Sequence, residues 1–120
     1  MIKFNNVTAT YRNDVGLFNI SFSIARGELV FLMGPTGAGK STLLRSIYAD
    51  IPITSGELLI NGINVSTIKR KDVPYLRRQI GMIFQDYRLL NDRSVYENIA
   101  LPLKIVGNSN KEIHNEVYKI

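Results

Sequence analysis

No cysteine occurs among the 120 residues, which excludes disulfides, cysteine-ligated zinc or iron–sulfur centres and thiol nucleophiles. Chemistry in this chain has to use oxygen and nitrogen groups, and the composition suits a reducing cytoplasm. Long apolar runs are missing too. The longest, such as residues 29–33, fall far short of the roughly 20 residues a helix needs to cross a bilayer, so any membrane link is expected to go through a partner. Met1-Ile2-Lys3-Phe4-Asn5-Asn6 leads straight into alternating apolar and polar residues, without the basic and apolar segments of a secretory leader. Internal repeats, low-complexity tracts and a clear interdomain linker are absent as well.

What is present is a 45% apolar chain of one-domain size, enough for a buried core or for a piece of a larger one. The net charge of +5 is local: Lys69, Arg70, Lys71, Arg77 and Arg78 stand against Asp72 within ten residues. Such a run is either a nucleic-acid patch or a solvated helical face. No alternating series of aromatic stacking platforms accompanies it, so the solvated face is the preferred reading and no nucleic-acid partner is expected.

Ile2, Phe4 and Val7 predict an opening strand, and Ile20, Phe22 and Ile24 alternate with polar residues as a second, antiparallel one does. Residues 28–33 are nearly all apolar, the pattern of a parallel strand buried on both faces. From Ser41, Leu43, Leu44, Ile47, Tyr48 and Ile51 fall at helical spacing until Pro52. Residues 57–60 and 63–65 flank Asn61-Gly62, a pair that accepts the positive φ values of a tight hairpin turn. A short basic helix over residues 73–79 then precedes a second buried strand, residues 80–84. Ser94…Glu97 and Ser109…Glu112 each match a capping box. After the second box, Ile113, Val117 and Ile120 form one apolar stripe with no terminating glycine or proline, so the chain is expected to stop within an element.

Between the first buried run and the first helix lies Gly34-Pro35-Thr36-Gly37-Ala38-Gly39-Lys40-Ser41, a phosphate-binding loop in the strand-to-helix context that confirms the pattern. The glycines allow successive amides to converge on phosphate oxygens, and the helix that follows offers its positive end. Lys40 reaches the β- and γ-phosphates as a cation, while the Ser41 hydroxyl ligates Mg²⁺. A nucleoside triphosphate with Mg²⁺ is the expected ligand, and kinases, GTPases, helicases and transport ATPases all share such a loop.

The loop and its continuation Thr42-Leu43-Leu44-Arg45, with Thr54-Ser55-Gly56-Glu57, Asn61-Gly62 and Ile80-Gly81-Met82-Ile83-Phe84-Gln85-Asp86, closely resemble ATP-binding cassette (ABC) ATPases. Residues 73–81 and 84–103 are most similar to the ATPases of bacterial cell division, with methionine importers and lipoprotein-releasing ATPases as close relatives. The resemblance covers nearly the whole chain. It implies the N-terminal part of an α/β P-loop NTPase: residues 1–85 as an antiparallel β-subdomain plus partial P-loop core, and residues 86–120 as the Q-loop and start of the helical subdomain. It implies that Tyr11 stacks on adenine, that Gly34, Pro35, Thr36, Gly37, Ala38, Gly39, Lys40, Ser41 and Thr42 bind the nucleotide, and that Gln85 is catalytic, contacting Mg²⁺ or the attacking water. Read without the resemblance, Tyr11 is equally an ordinary strand-end aromatic and Gln85 a side chain capping backbone groups.

The same resemblance implies an integral membrane permease docking near residues 85–103 through Tyr87, Leu89 and Leu90, a head-to-tail homodimer, and a cytoplasmic location at the inner face of the membrane. Hydrolysis in this family also needs an apolar strand ending in Asp-Glu, a glycine-rich signature and a switch histidine. No Asp-Glu pair occurs, Gly107 is the only glycine after Gly81, and the sole histidine, His114, falls in the last helix as a surface residue. The expectation is therefore the first half of a longer ATPase, able to bind nucleotide at most. A small P-loop kinase, a self-contained nucleotide-binding module and a basic nucleic-acid binder are the competing classes.

Overall fold

The computed structural model describes residues 1–12 and 15–120, without the side chains of Tyr11 and Arg12. It divides into two compact units, Met1–Ile80 and Gly81–Ile120.

The first unit is built on an antiparallel sheet in the order β2-β1-β3-β4, from β1 (Ile2–Arg12), β2 (Val15–Ile24), β3 (Ser55–Ile60) and β4 (Ile63–Asn64). Alternation in β1 does not run unbroken, because Phe4, Val7 and Ala9 are all buried. The ladder explains this. Phe4 faces Phe22 but Val7 faces Ile20, and across the other edge Asn5 faces Glu57 while Thr8 faces Ser55. One extra residue sits in β1 on both sides, a bulge that resets which face the following side chains occupy. Asn6, with φ of 49°, supplies the bend. Opposite it, Gly56 has φ of +78°, and a Cβ there would lie 2.2 Å from the Asn6 carbonyl oxygen, so β3 can pass the bulge only as glycine.

The β3–β4 turn carries positive φ at both central residues, 48° at Asn61 and 83° at Gly62, as the Asn-Gly signal predicts. On the sheet packs α1 (Lys40–Ile47), whose Leu43 and Ile47 join Phe4, Val7, Leu17, Leu58 and Ile60 in one core. Phe4 and Phe22 stack with centroids 4.6 Å apart. Leu44, predicted on the apolar stripe, is 49% exposed. The helix buries the small polar residues Thr42 and Ser46 in its place, Ser46 donating its hydroxyl to the Leu43 carbonyl. A 3₁₀ turn at Val65–Thr67 and α2 (Val73–Arg77) complete the unit, with Leu76 fully buried.

Two predicted strands are not strands. Residues 28–33 adopt no regular structure, and Leu29, Phe31 and Met33 are 80%, 79% and 87% exposed. Residues 80–84 are likewise irregular, with Ile83 at 94%. The physical reason is the ladder: a parallel strand buried on both faces needs flanking strands and a covering layer. Among the described residues the only sheet is the antiparallel one, in which neither segment takes part.

In the second unit, α3 (Val95–Ile105) and α4 (Asn110–Val117) pack Ala100, Ile113 and Val117 against Tyr96, Ile99 and Leu103. Both predicted capping boxes are made, Ser94 with Glu97 and Ser109 with Glu112. The predicted stripe stops one residue short, because α4 ends at Val117 and leaves Ile120 92% exposed. His114 is exposed and lies 4.5 Å from the Tyr118 ring.

Candidate phosphate-binding site

The site is assembled at the start of α1. Gly39 is the residue before the helix, with φ of 87° and ψ of 6°. This left-handed conformation strains any L side chain, and a Cβ would also meet Leu17 Cδ2 at 3.1 Å. The Ala38 amide donates to the Pro35 carbonyl at 3.2 Å, and the helix is under way once the Leu43 amide donates to the Gly39 carbonyl at 2.9 Å.

The first amides of a helix have no acceptor within it. At α1 no side chain caps them and no acidic residue occupies the first turn, so the positive end of the helix dipole is left uncompensated. Lys40 adds a full charge beside it. Its ammonium donates to the Gly34 carbonyl at 2.6 Å and the Pro35 carbonyl at 2.7 Å. An ammonium has three donors, so those two bonds fix it across the loop with one donor to spare. The arrangement is built to take an anion.

A cleft of about 620 Å³ opens here, lined by Thr36, Gly37, Gly39, Lys40, Ser41 and Thr42 from the loop and by Val15, Gly16 and Phe18 from β2. Gly34 and Pro35 join the site through Lys40, and Ala38 packs its Cβ near Gly34. Ser41 is exposed and Thr42 buried, so the hydroxyl expected to meet a metal is the accessible one. Among the described residues no three His, Cys, Asp or Glu side chains cluster as a metal cage. An accessible Ser41 hydroxyl beside a phosphate site fits Mg²⁺, which binds through one or two protein oxygens and substrate phosphates.

The β2 contribution has no motif. What brings Val15, Gly16 and Phe18 to the loop is the β1–β2 register, in which Ala9 faces Leu17 and Thr10 faces Gly16. The side chain of Tyr11, the predicted adenine platform, lies outside the described residues.

Gln85 lies in the second unit, exposed, at the start of a turn over residues 85–88. Tyr87 and Arg88 follow with φ of 55° and 49°, and the Arg88 guanidinium lies 3.8 Å over the Phe84 ring. Asn98 on α3 ties down the next stretch. Its Oδ1 accepts from the Leu90 amide at 2.8 Å, while its Nδ2 donates to the carbonyls of Leu90, Arg93 and Ser94 at 3.1, 3.3 and 3.0 Å. Tyr87, Leu89 and Leu90 remain exposed. Sequence reasoning missed Asn98, because its acceptors are backbone groups that no residue pattern advertises.

A glycine loop opening an uncapped helix, with a lysine held across it, defines a phosphate-loop nucleotide-binding protein. The profile of the ABC transporter family matches residues 17–120, and the chain belongs to that family. It is 41% identical over its whole length to the cell division ATP-binding protein FtsE of Streptococcus pneumoniae and of Bacillus subtilis, and 44% identical over 98% of its length to that of Escherichia coli. The chain spans about half the length of these curated relatives, 53% in each case. A solved dimeric ATP-binding cassette in a post-hydrolysis state, bound to ADP and Pi, superposes with a TM-score of 0.88 at 33% identity, over 99% of this chain and 55% of that one. A second, a dimeric bacterial ABC transporter cassette, gives 0.86 at 35% identity, over 96% of this chain and 53% of that one.

Proposed function

We propose that this chain carries the phosphate-binding half of the ATP-binding subunit of an ABC-type complex acting in bacterial cell division, and that the whole protein couples ATP binding and hydrolysis to a membrane partner. The observation that carries the reading is the start of α1, with its uncapped amides, Lys40 across the loop and a cleft beside it. Gly34 through Thr42 take the phosphates, Tyr11 the adenine, and Ser41 with Gln85 the Mg²⁺. Residues 1–85 form the β-subdomain and partial phosphate-loop core, whose Gln85 reports on the γ-phosphate, and residues 86–120 the Q-loop and the start of the helical subdomain. The similarity to cell division ATP-binding proteins supports the cellular role.

Mg²⁺ held by Ser41 and Gln85 would supply charge neutralisation at the phosphates. The residues of this chain bind and orient. Turnover needs a carboxylate to position water and a second site across a dimer, which this reading assigns to the whole protein; the role proposed for these 120 residues, in which no Asp-Glu pair occurs, is nucleotide binding at most. A head-to-tail homodimer is the assembly proposed, in keeping with the dimeric cassettes it superposes on. No helix among the described residues is long and apolar enough to cross a membrane. The proposed location is cytoplasmic, at the inner face of the membrane, through an FtsX-like permease that docks near residues 85–103, where Tyr87 and Leu89 are 76% and 62% exposed.

The test is a calorimetric titration of MgATP into wild type and Lys40→Ala, in this chain and in the full-length protein. Micromolar binding that the substitution abolishes supports the reading, with turnover only in the full-length protein. Equal binding by both variants refutes it.

A further inference from the structure

The basic stretch around α2 holds one cation that does not behave as part of a solvated face. Arg77 donates from Nε to the Tyr48 carbonyl at 3.0 Å and from Nη2 to the Ala49 carbonyl at 3.2 Å. Its guanidinium lies 4.5 Å over the Tyr48 ring. Asp50 stands 3.8 Å from Nη2 and 2.8 Å from Arg45 Nε. Arg78 next to it lies instead over the Tyr75 ring of its own helix, at 5.2 Å.

Tyr48 and Ala49 are the two residues that follow α1. Tyr48 is the capping residue at the negative end of the helix dipole, and Ala49, with φ of 51°, turns the chain away just beyond it, so both carbonyls look for donors outside the helix. A planar two-armed cation meets both needs at once, which a lysine cannot do with the same geometry. The helix thus has a cation fixed at one end and an anion site at the other. At eight residues α1 is only about 12 Å long, so a shift at its tail is carried to Lys40 and Ser41 at its head.

We propose that Arg77 is a positioning residue for the phosphate loop: by binding the tail of α1 to α2 it fixes the angle at which the loop amides and Lys40 meet the nucleotide. The inference rests on the nucleotide-binding reading above and adds a residue outside the loop to the binding apparatus.

The test uses the full-length protein and MgATP. Arg77→Ala is expected to weaken binding about tenfold and Arg77→Lys about threefold, a graded loss set by how much of the fork survives. Ser109→Ala, which removes a helix cap in the other unit, serves as the stability control and should leave MgATP affinity unchanged at a comparable loss of melting temperature. Backbone amide resonances of Gly37, Gly39 and Lys40 should shift in the Arg77 variants before nucleotide is added, and stay in place in Ser109→Ala. Wild-type affinity in Arg77→Ala, or an equal loss in Ser109→Ala, overturns the proposal. If Arg77→Ala does not fold, unchanged affinity in Arg77→Lys does so. Failure of wild type itself to bind would strike at the nucleotide-binding reading, which separates the two outcomes.

Discussion

Helices α1 and α3 begin in opposite ways. At α3, Ser94 Oγ accepts from the Glu97 amide at 3.2 Å, and Glu97 Oε2 accepts from the Ser94 amide at 2.9 Å. The chain satisfies its own first turn and places a carboxylate at the positive end of the dipole. The start of α4 repeats the arrangement with Ser109 and Glu112. At α1 a glycine in a left-handed conformation stands in the capping position, no carboxylate follows, and the neighbouring charge is the cation of Lys40. The starts of α3 and α4 are finished by their own side chains, α2 has no side-chain cap but carries Pro74 in its first turn, and α1 has neither. The difference teaches that a missing cap is not enough by itself, since α2 lacks one too; what sets α1 apart is the left-handed Gly39 before it and the Lys40 ammonium held across the loop, the features on which the proposed phosphate site rests.

The strongest way to break this contrast is to remove the cation. Lys40→Ala should lower MgATP affinity by about a hundredfold or more, roughly 3 kcal/mol, with the melting temperature little changed. Gly39→Ala is the next largest. It forces an L side chain into a left-handed site against Leu17, and should weaken MgATP binding about tenfold while destabilising the first unit by about 1 kcal/mol, measured by titration and thermal melting. Ser94→Ala is the reciprocal change at α3. It should destabilise that helix by about 1 kcal/mol in chemical denaturation and leave nucleotide affinity untouched.

The smallest expected effect is on pH. Hydrogen bonds from the Ser94 backbone and side chain, with the nearby Arg93 charge, hold the Glu97 carboxyl below its ordinary range. The Ser109 hydroxyl and backbone do the same for Glu112. A group with a depressed pKa in the folded state contributes stability above its unfolded pKa and loses it as the pH falls through the folded value. The helical signal of α3 and α4 should therefore weaken slightly below about pH 4 in circular dichroism. Ser94→Ala and Ser109→Ala should flatten that acid limb.

Much of this contrast could be read from residue types. Both capping boxes and the Asn61-Gly62 turn are local patterns whose physics lies within a few residues, and each appears where it was expected; the loop from Gly34 to Ser41 opens α1 as expected, but the strand expected before it is absent from the described residues. The runs 28–33 and 80–84 misled because apolar content reports a capacity for burial, whereas burial requires strands beside them. Arg77 and Asn98 could not be recognised, since both act on backbone carbonyls, Arg77 on groups 29 and 28 residues away. The bulge at Asn6 was legible only as uneven spacing between Phe4 and Val7. What accommodates it, Gly56 on the next strand, lies fifty residues on.

The central claim is that the unfinished start of α1 is the phosphate site, and amide NMR during a MgATP titration tests it most directly. The backbone resonances of Gly37, Gly39, Lys40 and Ser41 should shift and saturate in the micromolar range, while those of Tyr96, Glu97, Lys111 and Glu112 at the self-capped helices stay in place. Loop amides that do not move in the full-length protein, or shifts of equal size at the starts of α1, α3 and α4, would contradict the account.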